Sequence, residues 1–286
     1  MTVAESASAT PLRKFRFAAG GEGNPEEGGA RKFIKLAQQA EEYGFDSFMI
    51  PDHLGPQVGP IAALGALAVA TEKIRLGTSV LANGFRHPAV LAKDAATIDV
   101  LSRGRLELGI GAGWMKDEFD VYDVDFHTRG RRTDEMIQVL RKLWSGEIVE
   151  HQGEFFNFPR LRVLPAPGHV PIIPAGASEA VMRRAAHLGD GWMDQGNKVA
   201  NMPPLIAKLN EMRKEAGRDH LPFEVVMVLR DEWDPGLFRQ AEDMGVTAIQ
   251  LLPVFFTLGR RSSLDDKKRY WESFAEKVLR HFPLAA

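Results

Sequence analysis

The chain has 286 residues, of which 44% are apolar, and 36 basic side chains nearly balance 38 acidic ones for a formal net charge of -2. A near-neutral chain without a basic block excludes nucleic acid and membrane surfaces as partners, so a small neutral or anionic ligand is expected. The absence of cysteine excludes disulfides, thiolate metal sites and a cysteine nucleophile, and no metal site is expected. No signal peptide or membrane-length apolar run is present, so we expect a cytoplasmic protein.

Eight short apolar segments, separated by amphipathic helical stretches, predict eight buried strands. Five of them lie at 14–19, 75–81, 105–111, 171–176 and 223–229. The other three end the stretches 40–50, 185–193 and 241–252, each of which reads Ala-x-x-apolar-Gly before its apolar residues. In these stretches a helix is predicted to end on a glycine in the left-handed conformation, at Gly44, Gly189 and Gly245.

Eight βα units in under 300 residues fit a (β/α)8 TIM barrel better than an open sheet of five or six strands. We therefore expect α/β architecture with residues 1–286 forming a single barrel domain. The stretch from Trp114 to about His169 is longer than one βα unit, which predicts an insertion between strands four and five. The helix RTDEMIQVLRKLWSG is assigned to this insertion.

The carboxyl ends of the predicted strands carry the candidate site, because barrel active sites lie at that end. Strand two ends in Asp52 and His53, which are predicted to project into the barrel mouth; a capping Asp and a surface His are the alternative. In strand three, Ser79 and Val80 precede the small residues around Asn83, which predicts an open wall beside which a flat group can lie.

Strand four ends in GIGAGW, residues 109–114, whose alternate glycines either admit a ring system to the backbone or allow tight helix packing. Strand five ends in Gly176, Ala177 and Ser178 at the start of a helix, whose free N–H groups predict a phosphate seat. The alternative is that Ser178 is a plain N-cap. Arg129, Arg131 and Arg132 in TRGRRTDE are interpreted as a solvated, ion-paired helix start, with contact to a cofactor tail as the alternative.

An open strand-three wall, a glycine-rich strand four and a phosphate seat together fit a flat cofactor with a phosphorylated tail. The runs TSVLANGFRHPAVLAKDAATIDVLSRGRLELGIGAGW and AGASEAVMRRAAHLGDGW, with Asp-His after strand two, resemble the bacterial luciferase-like monooxygenase family. Members of that family are barrel flavoproteins that use FMN or the deazaflavin coenzyme F420. The resemblance covers roughly residues 14–255.

The resemblance implies roles for individual residues. It implies a non-prolyl cis peptide at Ser79–Val80 behind the cofactor ring. It also implies that Asp52 is a hydrogen-bond partner of the ring and that His53 is the active-site acid or a transition-state stabiliser. It places the cofactor against the following residues: Asp52, Ser79, Val80, Asn83, Ala112, Gly113, Gly176, Ala177, Ser178, Glu179 and Ala180. Gln57 and Trp114 stand where deazaflavin-dependent sugar-phosphate dehydrogenases carry Trp and Glu, which argues against glucose-6-phosphate dehydrogenation.

The local matches PDHLGP and TSV favour F420 over FMN as the cofactor. The expected function is hydride transfer between F420 and a small organic substrate. Two alternatives stay open: an FMN-dependent monooxygenase, which would need a flavin reductase as partner, and a non-catalytic flavin-binding barrel. A homodimer is expected.

Overall fold

A parallel sheet of eight strands forms the centre of the molecule. The computed structural model describes residues 13–20, 29–55, 57–252, 257–259 and 262–283. The strands are β1 (Arg16–Gly20), β2 (Ser47–Ile50), β3 (Arg75–Ala82), β4 (Leu106–Gly111), β5 (Val149–Gln152), β6 (Asn157–Leu161), β7 (Ile172–Pro174), β8 (Gly191–Met193), β9 (Glu224–Val228) and β10 (Ala248–Leu251).

The sheet order is β7-β4-β3-β2-β1-β10-β9-β8, and contacts between its two end strands close it into a barrel. Ala175 and Met193 form a parallel bridge. The Gly176 N–H donates to the Met193 carbonyl at 3.0 Å, and the Asp190 N–H donates to the Ile172 carbonyl at 2.8 Å. The predicted (β/α)8 barrel is confirmed, and each of the eight apolar segments contributes one strand.

The helices surround the barrel. They are α1 (Gly29–Glu42), α2 (Pro60–Ala70), α3 (Pro88–Leu101), α4 (Lys116–Val121), α5 (Arg129–Leu143), α6 (Glu179–Leu188), α7 (Met202–Glu215), α8 (Pro235–Asp243) and α9 (Leu264–Lys277). Within the described ranges, none of them has the length and apolar character needed to span a membrane.

Side chains alternate between the barrel interior and the helical layer, as strand geometry requires. In β10, Ile249 and Leu251 belong to the outer core that the helices cover. Ala248, one residue before Ile249, faces inward and packs with Val226 and Val228 of β9. This apolar layer fills the barrel interior, so the space available to a ligand lies above it, at the carboxyl ends of the strands.

Two of the three predicted glycine helix ends are confirmed. Gly44 has φ 85° and Gly245 has φ 99°, both in the left-handed region. The prediction for Gly189 is wrong, because this residue is extended with φ −88°. A Cβ at Gly189 would lie 2.7 Å from Pro174 Cδ and 3.0 Å from the Ala185 carbonyl oxygen. Close packing of α6 on β7, rather than backbone conformation, therefore requires glycine there.

The segment between β4 and β7 contains α4, α5 and an antiparallel hairpin of β5 and β6. Helix α5 packs between α3 and α6 and so joins the helical layer of the barrel, whereas α4 and the hairpin are additions to the βα pattern. Glu135 of α5 fixes the hairpin. It accepts hydrogen bonds from the Phe155 N–H at 2.9 Å and the Phe156 N–H at 3.0 Å, and contacts His151 Nε2 at 3.0 Å.

Candidate active site

A cavity of about 850 Å³ opens at the carboxyl ends of the barrel strands. Most of the predicted site residues line it: Asp52, His53, Ser79, Val80, Ala112, Gly113, Gly176, Ala177, Ser178 and Ala180. These residues follow four different strands, and the barrel brings them together because parallel strands end at the same edge.

Two predicted cofactor residues, Asn83 and Glu179, do not line the cavity. The Asn83 side chain is fully buried, and its Oδ1 accepts a hydrogen bond from Thr133 Oγ1 of α5 at 3.4 Å. Glu179, at the first position of α6, turns outward and pairs with Lys208 at 2.7 Å and Arg183 at 3.3 Å. Hydrogen bonds from these two cations lower the pKa of the Glu179 carboxyl. Neither side chain faces the cavity, because each contacts a helix neighbour instead, so a contact of Glu179 with the cofactor would be made by its backbone N–H.

Asp52 links the ends of β2 and β3. Its Oδ2 accepts hydrogen bonds from the Ala82 N–H at 2.9 Å and from Arg86 Nη1 at 2.5 Å, and its Oδ1 accepts from Arg86 Nη2 at 3.0 Å. A bidentate guanidinium–carboxylate pair is the most directional ion pair available to proteins. Both oxygens of Asp52 therefore already have partners that shape the cavity wall.

His53 pairs with a carboxylate that sequence reasoning missed, that of Glu118. His53 Nδ1 lies 3.2 Å from both Oε1 and Oε2 of Glu118, and the Leu54 N–H donates to Oε1 at 2.8 Å. The indole of Trp114 packs edge-on against the His53 ring, with centroids 5.9 Å apart. The cavity wall thus holds an imidazole with a carboxylate partner, in the manner of many proton-transfer sites.

The turn after β4 brings Glu118 to His53. Gly113 has φ 87°, and a Cβ there would lie 2.7 Å from the ring of Phe119. Phe119 is fully buried, with its ring centroid 4.9 Å from that of Phe85 and 5.2 Å from that of Phe126. Because buried Phe119 fixes the position of α4, the preceding residue, Glu118, points its carboxylate at His53. The only signal in the sequence was an acidic residue on a short helix, which does not reveal the direction of the turn.

The peptide bond Ser79–Val80 is cis, as the family resemblance implied, and the β3–β4 register shifts between Thr78 and Leu81. The glycines of β4 accommodate this irregularity. A Cβ at Gly109 would lie 2.1 Å from the Thr78 carbonyl oxygen, and one at Gly111 would lie 2.5 Å from Val80 Cγ2. Close packing on strand β3, and not on a helix as the alternative had it, therefore requires glycine at both positions, and the approach of a ring system to this backbone stays a prediction.

The floor beneath the cis bond is polar. Ser79 Oγ donates a hydrogen bond to Gln250 Oε1 at 3.0 Å. The Gln250 side chain is fully buried, and its Nε2 has no hydrogen-bond acceptor among the described residues. A buried amide donor without a partner is costly, which makes it a candidate to bond an acceptor placed above it.

The end of the cavity beside the N-terminus of α6, the anion seat, is suited to a bound anion. Ser178 caps α6 through its Oγ, which accepts from the Val181 N–H at 3.4 Å, so the N-cap prediction for Ser178 is confirmed. The N–H groups of the first turn of α6, at Glu179 and Ala180, have no acceptor within the helix. These free donors and the helix dipole favour a bound anion such as phosphate.

Two arginines line the same cavity. Arg184 is buried and committed to Asp134, 2.5 Å away. Arg129 stacks over the Phe126 ring at 3.8 Å, donates to the Phe126 carbonyl at 2.9 Å, and makes no ion pair within the described part of the chain. Arg129, predicted as part of a solvated helix start, is thus half-buried at the cavity with an uncompensated charge.

Asp194, another lining residue that the sequence did not single out, has a structural role. Its carboxylate accepts hydrogen bonds from the Val228 N–H at 2.5 Å, the Gly196 N–H at 3.2 Å and Asn197 Nδ2 at 2.9 Å. Burial raises the pKa of the Asp194 carboxyl, although these hydrogen bonds act in the opposite direction. Asp194 therefore ties the end of β8 to β9.

A (β/α)8 barrel thus carries an imidazole–carboxylate pair and an unpaired helix N-terminus around one cavity at the carboxyl ends of its strands. The model of the luciferase-like monooxygenase family matches residues 14–230. The chain belongs to this family, and the expected class, a luciferase-like oxidoreductase, is confirmed.

Two relatives and one solved structure are similar to this chain. An uncharacterised Mycobacterium tuberculosis protein is 32% identical over 86% of this chain and 94% of its own length. An F420-dependent glucose-6-phosphate dehydrogenase of Rhodococcus hoagii is 29% identical over 84% of this chain and 75% of its own. The monooxygenase RslO1 of Streptomyces bottropensis superposes with a TM-score of 0.77 at 23% identity, over 94% of this chain and 100% of its own.

Proposed function

We propose that this protein transfers hydride between coenzyme F420 and a small organic substrate. The observation that carries the proposal is that one cavity joins the His53–Glu118 pair to the anion seat at α6. The F420-dependent relative from Rhodococcus hoagii, which this chain matches along most of its length, supports the choice of cofactor.

The residues present fit a flat cofactor with a phosphorylated side chain. The wall between the two ends of the cavity carries mostly small side chains, namely those of Ala82, Ala112, Ala175, Ala177 and Ala180. Ser178, the free N–H groups of α6 and Arg129 would hold the phosphate. The fully buried Gln250 side chain supports Ser79 from below through the Ser79 Oγ–Gln250 Oε1 hydrogen bond and does not itself line the cavity.

When bound, F420 supplies a ring carbon that accepts or donates hydride. The protein supplies position and proton management. His53 would take up or release, at Nε2, the proton that accompanies hydride transfer, since its Nδ1 is directed at Glu118. The apolar residues Val80, Met193 and Leu252 would keep water away from the reacting atoms.

The substrate end of the cavity favours a neutral, planar molecule. The Trp114 side chain is 69% exposed, lines the cavity and contacts the His53 ring. An exposed indole binds apolar rings and conjugated systems well. The basic side chains that line the cavity, within the described residues, come from the segment 127–129 and from α6, so a second phosphate near His53 has no cation there. We therefore favour an activated enone over a sugar phosphate.

A reduced-FMN monooxygenase is the second candidate, and the family to which the chain belongs favours it. The anion seat does not discriminate, because FMN also carries a phosphate on its ring side chain. In that case a flavin reductase would be the partner protein. We place the protein in the cytoplasm, as its lack of cysteine suggests, and propose that it forms a homodimer.

The test is direct titration of cofactor-free protein with F420 and with FMN, followed by activity with the cofactor that binds. We expect F420 to bind more tightly, and reduced F420 to be oxidised without oxygen in the presence of an enone from a screening panel. Tight FMN binding with oxygen-dependent turnover would establish the monooxygenase instead. Cofactor binding without turnover of any substrate in the panel would leave a non-catalytic barrel and overturn the proposal.

A further inference from the structure

We propose that Glu118 is the positioning residue of His53, and that it fixes the ring in the tautomer with the proton on Nδ1. This inference deepens the proposed function, because it assigns the proton-exchanging atom to Nε2. The effect of Glu118 on the His53 tautomer involves only residues of this chain, so it is expected whichever cofactor is bound.

The first step is the bonding capacity of the two groups. An ionised carboxylate can only accept hydrogen bonds, so Nδ1 must carry a proton to bond it. Both Glu118 oxygens lie 3.2 Å from Nδ1, which leaves one approach for the imidazole edge and directs Nε2 away from the carboxylate. A His ring with a single such partner is held in one orientation and one tautomer.

The second step is that Glu118 is itself held. Its side chain is only 7% exposed, against 30% for His53. The Leu54 N–H donates to its Oε1 at 2.8 Å, so the backbone of the β2–α2 loop fixes the carboxylate relative to the residue that follows His53. Phe119, fully buried, fixes α4 from the other side. The position of the Glu118 carboxylate is therefore fixed, and it can hold the His53 ring in one orientation.

The third step distinguishes this role from packing. A packing role would need only the shape of the side chain, and Glu118→Gln keeps that shape. In the Gln variant the amide oxygen stays with the Leu54 N–H, and the NH2 group takes the place of the other carboxylate oxygen, so Nδ1 faces a donor as well as an acceptor. The preference of His53 for the Nδ1–H tautomer should therefore weaken even though the fold does not change.

The experiment records long-range 1H–15N spectra of cofactor-free protein labelled in histidine. The spectra are recorded over a series of alkaline pH values, in which the nitrogen shifts of the two neutral tautomers of an imidazole are distinct. The His53 signals are assigned by their loss in His53→Asn. We expect Nδ1–H in the wild type, and a shift towards Nε2–H in both Glu118→Gln and Glu118→Ala. The matched control is Asp117→Asn, an exposed neighbour on the same helix, which should leave the spectrum unchanged.

A wild-type spectrum dominated by Nε2–H would overturn the proposal without any variant. An unchanged tautomer ratio in both Glu118 variants would overturn it as well. A second arm measures single-turnover hydride transfer, which should fall at least about tenfold in Glu118→Gln with cofactor affinity kept within twofold, since a wrong tautomer slows proton transfer. Failure of wild-type turnover with F420 would count against the proposed function alone, because the spectra need no cofactor.

Discussion

Arg86 donates two parallel hydrogen bonds to the Asp52 carboxylate, from Nη1 at 2.5 Å and from Nη2 at 3.0 Å. The pair joins the carboxyl end of β2 to the turn after β3, so it connects the strand end that carries His53 with the strand that carries the cis bond. Asp52 was predicted to bond the cofactor ring. The hydrogen bonds of Asp52 to Ala82 and Arg86 also stabilise the cavity wall.

Removing Arg86 should destabilise the protein. Arg86→Ala leaves the Asp52 carboxylate, only 10% exposed, with the Ala82 N–H as its partner. After allowance for the 24% exposure of the Arg86 side chain, we expect a loss of about 1–3 kcal/mol in the free energy of unfolding, measured by urea denaturation. The control is Arg103→Ala, which breaks an open pair with Glu72 and should cost at most about 0.5 kcal/mol. An equal loss of unfolding free energy in the two variants would mean that the Arg86–Asp52 pair does not stabilise the fold.

Replacing His53 separates a chemical role from a packing role. We expect His53→Ala to slow single-turnover hydride transfer by roughly 10²- to 10⁴-fold, the range for loss of a general acid or base, while cofactor affinity stays within a few fold. His53→Asn should be partly active if hydrogen bonding dominates. A rate in the Ala variant within about threefold of wild type would remove His53 from the chemistry.

An added carboxylate in the anion seat should repel the cofactor. Ala177 lies in the loop before the N-cap Ser178, so Ala177→Glu places negative charge where the phosphate is proposed to bind. We expect the cofactor dissociation constant, measured by fluorescence titration, to rise well over tenfold. Ala62→Glu introduces the same change on the exposed face of α2 and should leave the constant unchanged. An unchanged constant in Ala177→Glu would place the phosphate elsewhere.

Two glycines with the same backbone conformation isolate the contact that positions α4. Gly113 and Gly104 have φ 87° and 80°. A Cβ at Gly113 would meet the Phe119 ring at 2.7 Å, whereas nothing lies within 4 Å of one at Gly104. Gly104→Ala should cost about 1–2 kcal/mol of unfolding free energy from backbone strain alone. Gly113→Ala should cost more and also slow turnover, because it displaces Phe119 and with it Glu118. Normal turnover in a folded Gly113→Ala protein would contradict this chain of contacts.

A buried charge network at the opposite end of the barrel should make stability depend on acid pH. Burial of Glu107 opposes ionisation, but Arg75 at 3.1 Å and Arg16 at 3.4 Å outweigh it and lower the pKa of the carboxyl. A carboxyl with a lowered folded-state pKa stabilises the fold above its unfolded value, about 4.3, and loses that contribution as pH falls through the folded value.

We therefore expect the free energy of unfolding to decline below about pH 4.3 with a component that Glu107→Gln removes. Unfolding by urea from pH 3 to pH 7 measures it. Glu147→Gln, at an exposed position, is the control and should keep the wild-type profile. An identical acid profile in Glu107→Gln and wild type would show that the network does not depend on this charge.

Local patterns predicted the barrel because strand periodicity and the eightfold alternation lie in short stretches of sequence. The side of an element that a residue faces was harder to predict. Asn83 and Glu179 lie next to true lining residues, but a shift of one residue turns a side chain away from the cavity. Glu118 was missed as a site residue, and contact of Arg129 with a cofactor tail was only the alternative, because the path of the chain after β4 depends on tertiary contacts of Phe119 and Phe126. The cis bond came from family resemblance and not from local physical chemistry.

One end of the cavity is formed by a helix of the barrel and the other by a loop connection, so the two ends can be exchanged separately. The anion seat belongs to α6, a helix of the barrel itself, whereas Glu118 and Trp114 belong to the short connection that carries α4. Phe119 anchors that connection on Phe85 and Phe126, outside α6. A graft that exchanges residues 112–128 for those of another family member would thus replace the carboxylate partner of His53 and the indole beside it, while His53 and the anion seat on α6 stayed in place.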